Sequence, residues 1–445
     1  NQTGYSTGGA TGSARDYFYG SSCGTFQPQF DFVGPVTLPY GYAYYGANDV
    51  NCDDVRPGEM IRDACMAAKT QVAGLNFADY ATNGEVEHLF VIFAGKGEAD
   101  GGADDTIWPH EWALRWALGS AITLDGVKIN TYACSPELKG SGALTGVGVI
   151  CHEFGHVLGI PDFYDTDGDD NGRAETPDVF SLMDYGPYLN DGMTPPAMSS
   201  YERYVAGWLT YEDITSEGTY TLEARSLYDN NKAYRIKTFN TSGQGEVFVF
   251  ENRNGLLNKW DNFMTGAYAQ NYVYFGSGSG MLIFHVDHTN PVKWLSTNTV
   301  NAIAARPGYK LIKATNSASW QRIGDYFFPA TGKNSFLTTS TPDAFLDWSG
   351  NGTGLEIINI KKQNNDIVLT VAGSNTSIEE LRTDIGQFDV TLSWDWDLDG
   401  DWIVRSKATG KIADNETTSQ PTYNMRNLKT GPEYAVRAVS YQHLR

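Results

Sequence analysis

The chain has 445 residues, more than one compact core organises, so two or three domains are expected. Its net charge of −21 disfavours nucleic acid as a partner and suits a protein that binds divalent cations through carboxylates. No apolar run is long enough for a membrane span, and 13% aromatic residues with 48 glycines exclude a disordered chain in favour of packed strands and turns.

Residues 1–15 are rich in Gly, Ser and Thr and lack the basic-then-apolar pattern of a signal peptide, so any export signal precedes this numbering. From there to about residue 215 the texture is mixed α/β. In 58–72 the apolar positions Met60, Ile61, Ala64, Cys65, Ala68 and Val72 form one helical face. The run 85–95 (EVEHLFVIFAG) reads as a central strand buried on both faces. The run 145–158 (TGVGVICHEFGHVL) reads as a buried helix, with Thr145 as N-cap and Gly159 and Pro161 as the stop.

After Trp208 short alternating strands dominate, at 233–239, 246–251, 280–287 and 354–360, which predicts an antiparallel β-sandwich over 216–373. The tail, 374–445, restarts with strands at 389–396, 402–407 and 435–439. Its segment 428–434 (LKTGPEY) is similar to the tyrosine corner of fibronectin type III sandwiches. At about 70 residues the tail is short for such a module, so its last strand is expected to be missing. The five cysteines, Cys23, Cys52, Cys65, Cys134 and Cys151, lack CxxC spacing. Their odd number favours small buried thiols over a disulfide framework.

The chemistry concentrates in His152-Glu153-Phe154-Gly155-His156. Histidines four apart on a helix point to one side and can share one tetrahedral Zn²⁺, while Glu153 stands beside the metal as a general base for water. Gly159 can turn the chain back, and Asp162 then arrives where the metzincin pattern places its third ligand. Met183, in Ser181-Leu182-Met183-Asp184-Tyr185-Gly186, looks like a Met-turn flooring the site. Tyr185 stands either as an oxyanion stabiliser or as a packing residue. His110, His285 and His288 read as structural, and Cys151 as core. Asp165, Asp167, Asp169 and Asp170, in DTDGDDNG, form an oxygen cage suited to calcium, or else a solvated acidic loop. Asp395, Asp397, Asp399 and Asp401 repeat the theme without a bidentate Glu.

Further segments carry a family resemblance. They are Phe32-Val33-Gly34-Pro35 with Tyr44-Tyr45-Gly46, Ile107-Trp108-Pro109-His110, and 151–165 (CHEFGHVLGIPDFYD). Tyr201-Glu202-Arg203 leading to Gly207-Trp208-Leu209, Glu251-Asn252-Arg253 and 280–287 (GMLIFHVD) extend it. Over roughly 15–373 the chain resembles the immune inhibitor A-type secreted bacterial zinc metalloproteases. The resemblance implies a multidomain chain: a metzincin-like catalytic domain over 1–215, the sandwich, and a fibronectin type III-like module. It implies zinc on His152, His156 and Asp162, Glu153 as the base, structural calcium, export, a cleaved propeptide and extracellular protein substrates. The rival reading is an adhesin or glycan- or protein-binding protein with a vestigial protease domain, for which the tail supplies the binding module.

Overall fold

The computed structural model describes residues 3–50, 53–86, 88–168, 170–226, 232–238, 245–266, 277–316 and 322–373, together with the backbone of six strands in the tail. The chain divides into two compact units, Asn1–Val371 and Ala372–Arg445.

The front of the first unit is α/β. Helix Pro57–Gln71 starts with proline at its first turn, where the missing N–H is no loss, and buries Met60, Ile61 and Cys65. These pack with Phe77 of the short 3-10 helix Phe77–Tyr80 and with Ile129 and Tyr132 from the neighbouring strands. Three strands form the sheet beside the functional helix. Thr131–Leu138 lies in the middle, parallel to Leu89–Lys96 and antiparallel to His110–Ala113.

The run expected to be a central strand is therefore an edge strand. Glu85–Val86 belongs to a separate four-stranded sheet, and among the described residues Leu89–Lys96 pairs on one side only, with Ile92 exposed. An apolar run shows that a strand has much to bury. It does not show how many neighbours that strand has. The centre went to Thr131–Leu138, whose five residues Tyr132 to Pro136 are all buried.

The helix Val147–Val157 lies against the strands Thr131–Leu138 and His110–Ala113 and buries Val149, Cys151 and Phe154, the last two in a cluster with Phe18 and Met183. Its N-cap is Gly146, not Thr145. A Cβ at Gly146 would come within 2.0 Å of the Gly192 carbonyl oxygen, and one at Gly148 within 1.9 Å of that of Pro187. Backbone approach of the 187–192 loop, not side-chain capping, sets where this helix begins.

Among the described residues the strands between 209 and 373 form two sheets. One has the order Tyr309–Leu311, Ser279–Asp287, Glu246–Asn254, Tyr234–Lys237, Glu212–Asp213, antiparallel except for its last pair. The other has the order Leu355–Gln363, Asp366–Gly373, Gly218–Leu222. Phe248, Phe250 and Ile283 of the first share a dry cluster with Ile357, Ile367 and Leu369 of the second. Burying each of these side chains stabilises the fold by about 1.5–3 kcal/mol.

The opposite face of the five-stranded sheet closes on the α/β part. Val249, Leu282 and Phe284 join Phe18, Phe154, Phe163 and Met183 in one cluster. Neighbouring strand residues point to opposite faces, so this sheet serves two cores at once.

In the second unit, Arg382–Ile385, Val390–Ser393 and Thr422–Met425 form one antiparallel sheet. Lys411–Thr418, Asp401–Ala408 and Tyr434–Tyr441 form another. Strands at 390–393, 401–408 and 434–441 fall where alternation predicts them. Most of the 428–434 segment, and Asp395, Asp397 and Asp399, lie outside the described residues. Among the described cysteines Cys23, Cys65, Cys134 and Cys151 are unbridged, and Cys52 lies outside that set.

Candidate metal centre

The one-turn spacing of His152 and His156 sets their rings 4.9 Å apart, nearly perpendicular to each other. The helix ends in a Schellman turn. Gly159 adopts φ +83°, its N–H donates to the His156 carbonyl at 2.8 Å, and the Ile160 N–H donates to that of Gly155 at 3.2 Å. That reversal carries Asp162 back beneath the histidines. Its Oδ1 lies 3.2 Å from Nε2 of both His152 and His156.

Each ring is oriented from behind. Nδ1 of His152 faces the Leu182 carbonyl at 2.9 Å, and Nδ1 of His156 faces that of Ile160 at 2.9 Å. A nitrogen facing a carbonyl carries the proton, so in the neutral ring Nε2 is left as a lone pair. Two lone pairs then converge on Asp162 Oδ1, a buried oxygen with no hydrogen-bond partner among the described residues. Three converging acceptors suit a cation, whose place protons on the imidazoles take when it is absent. Tetrahedral bonds of 2.0–2.1 Å separate ligand atoms by about 3.3 Å, close to the observed spacing. Among the described residues this is the one place where three such groups gather within 4.8 Å. The donor set therefore fits zinc.

Glu153 is buried beside the trio. Burial pushes its carboxyl up to about 7, against the pull of the two imidazoles. Burial also works against a charged His156, but the Asp162 carboxylate outweighs it and lifts that ring to about 9. A dication among these groups reverses the second effect, since it takes the place of the protons.

Met183 is fully buried under the helix. A Cβ at Gly155 would lie 2.5 Å from its sulfur. Glycine between the two histidines therefore lets the turn approach. Glu202, from the helix Ser200–Val205, holds that turn by accepting from Met183 N–H at 3.1 Å and from Ser181 Oγ at 2.6 Å. The Gly155→Ala substitution gains about 1 kcal/mol of helix propensity but forces overpacking costing about 1–3 kcal/mol. Net destabilisation with a fall in zinc affinity is expected in urea unfolding and metal titration. Unchanged values for both would contradict the close packing.

Tyr185 is half exposed and lines a cavity of about 240 Å³ with Asp165, Arg173, Glu175, Asp178 and Lys313. In the acidic loop, Asp165 accepts from Ala174 N–H at 2.8 Å, and Asp167 accepts from Asn171. Each keeps a buried oxygen without a hydrogen-bond partner among the described residues. The structure does not gather three carboxylates there among the described residues, and Asp169 lies outside them.

His110, His285 and His288 take structural places. His110 sits between the Trp108 carbonyl at 2.7 Å and Tyr132 Oη at 3.0 Å, and burial lowers its pKa. His285 meets Glu246 at 2.9 Å, and His288 stacks on Trp294.

Three residues near the trio escaped the sequence reading. Glu111, on the strand His110–Ala113, is pushed up by burial and feels both His156 and Asp162. Tyr164 Oη donates to Asp162 Oδ2 at 3.2 Å, a contact its place two residues after the ligand could have suggested. Asn298 also binds Asp162, and no local pattern announces it.

Residues 1–209 match the family model of the Immune inhibitor A peptidase M6 catalytic domain. The chain is 30% identical over 219 residues to Immune inhibitor A of Bacillus thuringiensis subsp. alesti, covering 42% of this chain and 30% of that one. It is 27% identical over 239 residues to the Pre-pro-metalloprotease PrtV of Vibrio cholerae serotype O1, covering 46% of this chain and 25% of that one. The chain thus spans about a quarter to a third of the curated relatives it matches. No solved structure matches it.

Proposed function

We propose, on the premise that residues 1–209 are an immune inhibitor A-type peptidase M6 domain, that this protein is a secreted zinc-dependent endopeptidase acting on extracellular proteins. The observation that carries the reading is the convergence of His152 Nε2, His156 Nε2 and the partnerless Asp162 Oδ1 on one point, with Glu153 beside them. When bound there, zinc supplies a Lewis acid that polarises a carbonyl and acidifies water.

The chain's own residues do the rest. The carbonyls of Leu182 and Ile160 fix the tautomer in which both histidines offer Nε2. Glu153 takes a proton from the attacking water on its carboxylate and passes it to the amide nitrogen as the C–N bond breaks. Burial makes this carboxylate more basic than an exposed one. Tyr185, two residues beyond Met183 and half exposed, is in this reading either the donor that steadies the developing oxyanion or a packing residue. The edge strand His110–Ala113 pairs only with Thr131–Leu138 among the described residues, so its outer edge suits an extended peptide laid beside Glu111.

Calcium in the 165–170 loop belongs to the same reading and is supported by the buried oxygens of Asp165 and Asp167 that find no hydrogen-bond partner among the described residues. The absence of any described helix long and apolar enough to cross a membrane is compatible with export. The division of the chain into a metzincin-like domain, a sandwich and a fibronectin type III-like module is likewise proposed.

The test is digestion of a proteome-derived peptide library read by mass spectrometry. Internal cleavage that stops on chelation and returns with zinc is expected. A zinc-loaded chain that binds protein or glycan tightly but cuts nothing would favour the adhesin reading.

A further inference from the structure

The third member of the trio is held by a residue far outside the matched domain. Asn298 follows the short helix Pro291–Leu295 and lies 136 residues beyond Asp162. Its amide brackets the aspartate. Asn298 Oδ1 accepts from the Asp162 backbone N–H at 2.8 Å, and Nδ2 donates to Asp162 Oδ2 at 2.6 Å. With Tyr164 Oη on that same oxygen, Oδ2 is occupied and Oδ1 is the oxygen left facing the histidines.

The geometry favours asparagine here on two counts. Asn298 has φ +51°, a conformation that asparagine tolerates far better than most side chains. Only a primary amide of this length offers an acceptor to the N–H and a donor to the carboxylate at once. The segment around it is tied to the same loop. Asn301 Nδ2 donates to the Phe163 carbonyl at 2.6 Å, and the Ala304 N–H donates to Asn171 Oδ1 at 2.8 Å.

We infer that Asn298 is a positioning residue that selects which oxygen of Asp162 is presented to the metal, so that a segment beyond residue 209 completes the centre. The inference rests on the zinc reading above. It does not require Asn298 to touch metal or substrate. Outer partners of metal ligands typically set about 10- to 100-fold in affinity.

The experiment measures zinc affinity of the full chain by competition with a chromophoric chelator, beside melting temperature. Three variants are used. Asn298→Gly removes the amide but keeps the positive φ free of strain. Asn298→Asp keeps the acceptor for the Asp162 N–H but sets a carboxylate against Oδ2. His152→Ala reports whether the measured zinc sits at the proposed centre.

Asn298→Gly is expected to weaken zinc about 10- to 100-fold, Asn298→Asp by at least as much, with melting of the metal-free chains within a few degrees of the parent. A general packing role would instead lower melting in both variants and leave metal-free and metal-bound chains equally affected. Zinc affinity within twofold of the parent in Asn298→Gly, while His152→Ala loses it, overturns this inference alone. Zinc binding in the parent that is absent, or indifferent to His152→Ala, overturns the zinc reading with it. If Asn298→Gly fails to fold, Asn298→Asp decides alone by the same criterion.

Discussion

Glu153→Gln is expected to lower turnover of a peptide substrate about 10²- to 10⁴-fold while zinc stays bound. The amide matches the carboxylate in shape, so the buried position beside the helix remains filled. What disappears is the capacity to accept a proton. Zinc affinity should not fall, because the trio is His152, His156 and Asp162 and does not include Glu153. Losing a negative charge close to the cation weakens the field, but no coordinating atom goes. The check is a steady-state assay on an internally quenched peptide with zinc content measured on the same sample. Turnover above a tenth of the parent's would sink the role of Glu153. Loss of zinc together with activity would make Glu153 structural.

Arg253→Ala is expected to destabilise the first unit by about 3–5 kcal/mol. Arg253 lies on the strand Glu246–Asn254 and is completely buried. Its guanidinium donates to the Asp261 carboxylate through Nε at 3.2 Å and also through Nη2, to the Phe180 carbonyl at 2.8 Å and to that of Ala197 at 2.9 Å. Asp261 in turn accepts from the Ala197 N–H at 3.1 Å. Removing the arginine leaves a buried carboxylate without its cation and two carbonyls without donors, which outweighs the value of the pair itself. The effect should reach the metal centre, because Phe180 opens the turn on which Leu182 and Met183 sit. Urea unfolding with zinc present and absent measures it. A loss below about 1 kcal/mol would show that water or a neighbour replaces the arginine. The double variant Arg253→Met with Asp261→Leu should recover part of the loss, since it removes both charges together.

Arg253 and Asn298 make the same point from two directions. Both come from strands or loops after residue 209, and both end on the ligand loop or the turn beneath it. The five-stranded sheet is two-sided: Phe248 and Phe250 face the second sheet, while Val249 and Leu282 face the α/β part. A truncation after residue 209 therefore exposes an apolar face and strips the site of outer contacts.

The gathering of His152, His156 and Asp162 was legible in local spacing for simple reasons. A four-residue interval fixes two side chains on one helical face, and glycine at 159 allows the left-handed turn that returns Asp162. Helix 57–71 and the strands at 246–254, 279–287 and 355–363 were legible because period and turn residues are properties of short windows. The edge position of Leu89–Lys96 and the Gly146 start of the functional helix were not. Each depends on what lies across a gap: the number of neighbouring strands in one case, the Gly192 carbonyl in the other.

His152, Glu153, His156 and Asp162 could be named from the chain alone because their chemistry is written within eleven residues of helix and turn. Which oxygen of Asp162 faces the histidines, what holds Met183 against Gly155 and why the back of the chain matters to the front could not. Those contacts join residues 19 to 136 positions apart, and hydrogen bonds of that kind leave no period in a sequence. They exist only once packing has brought distant backbone and side chains within bonding distance.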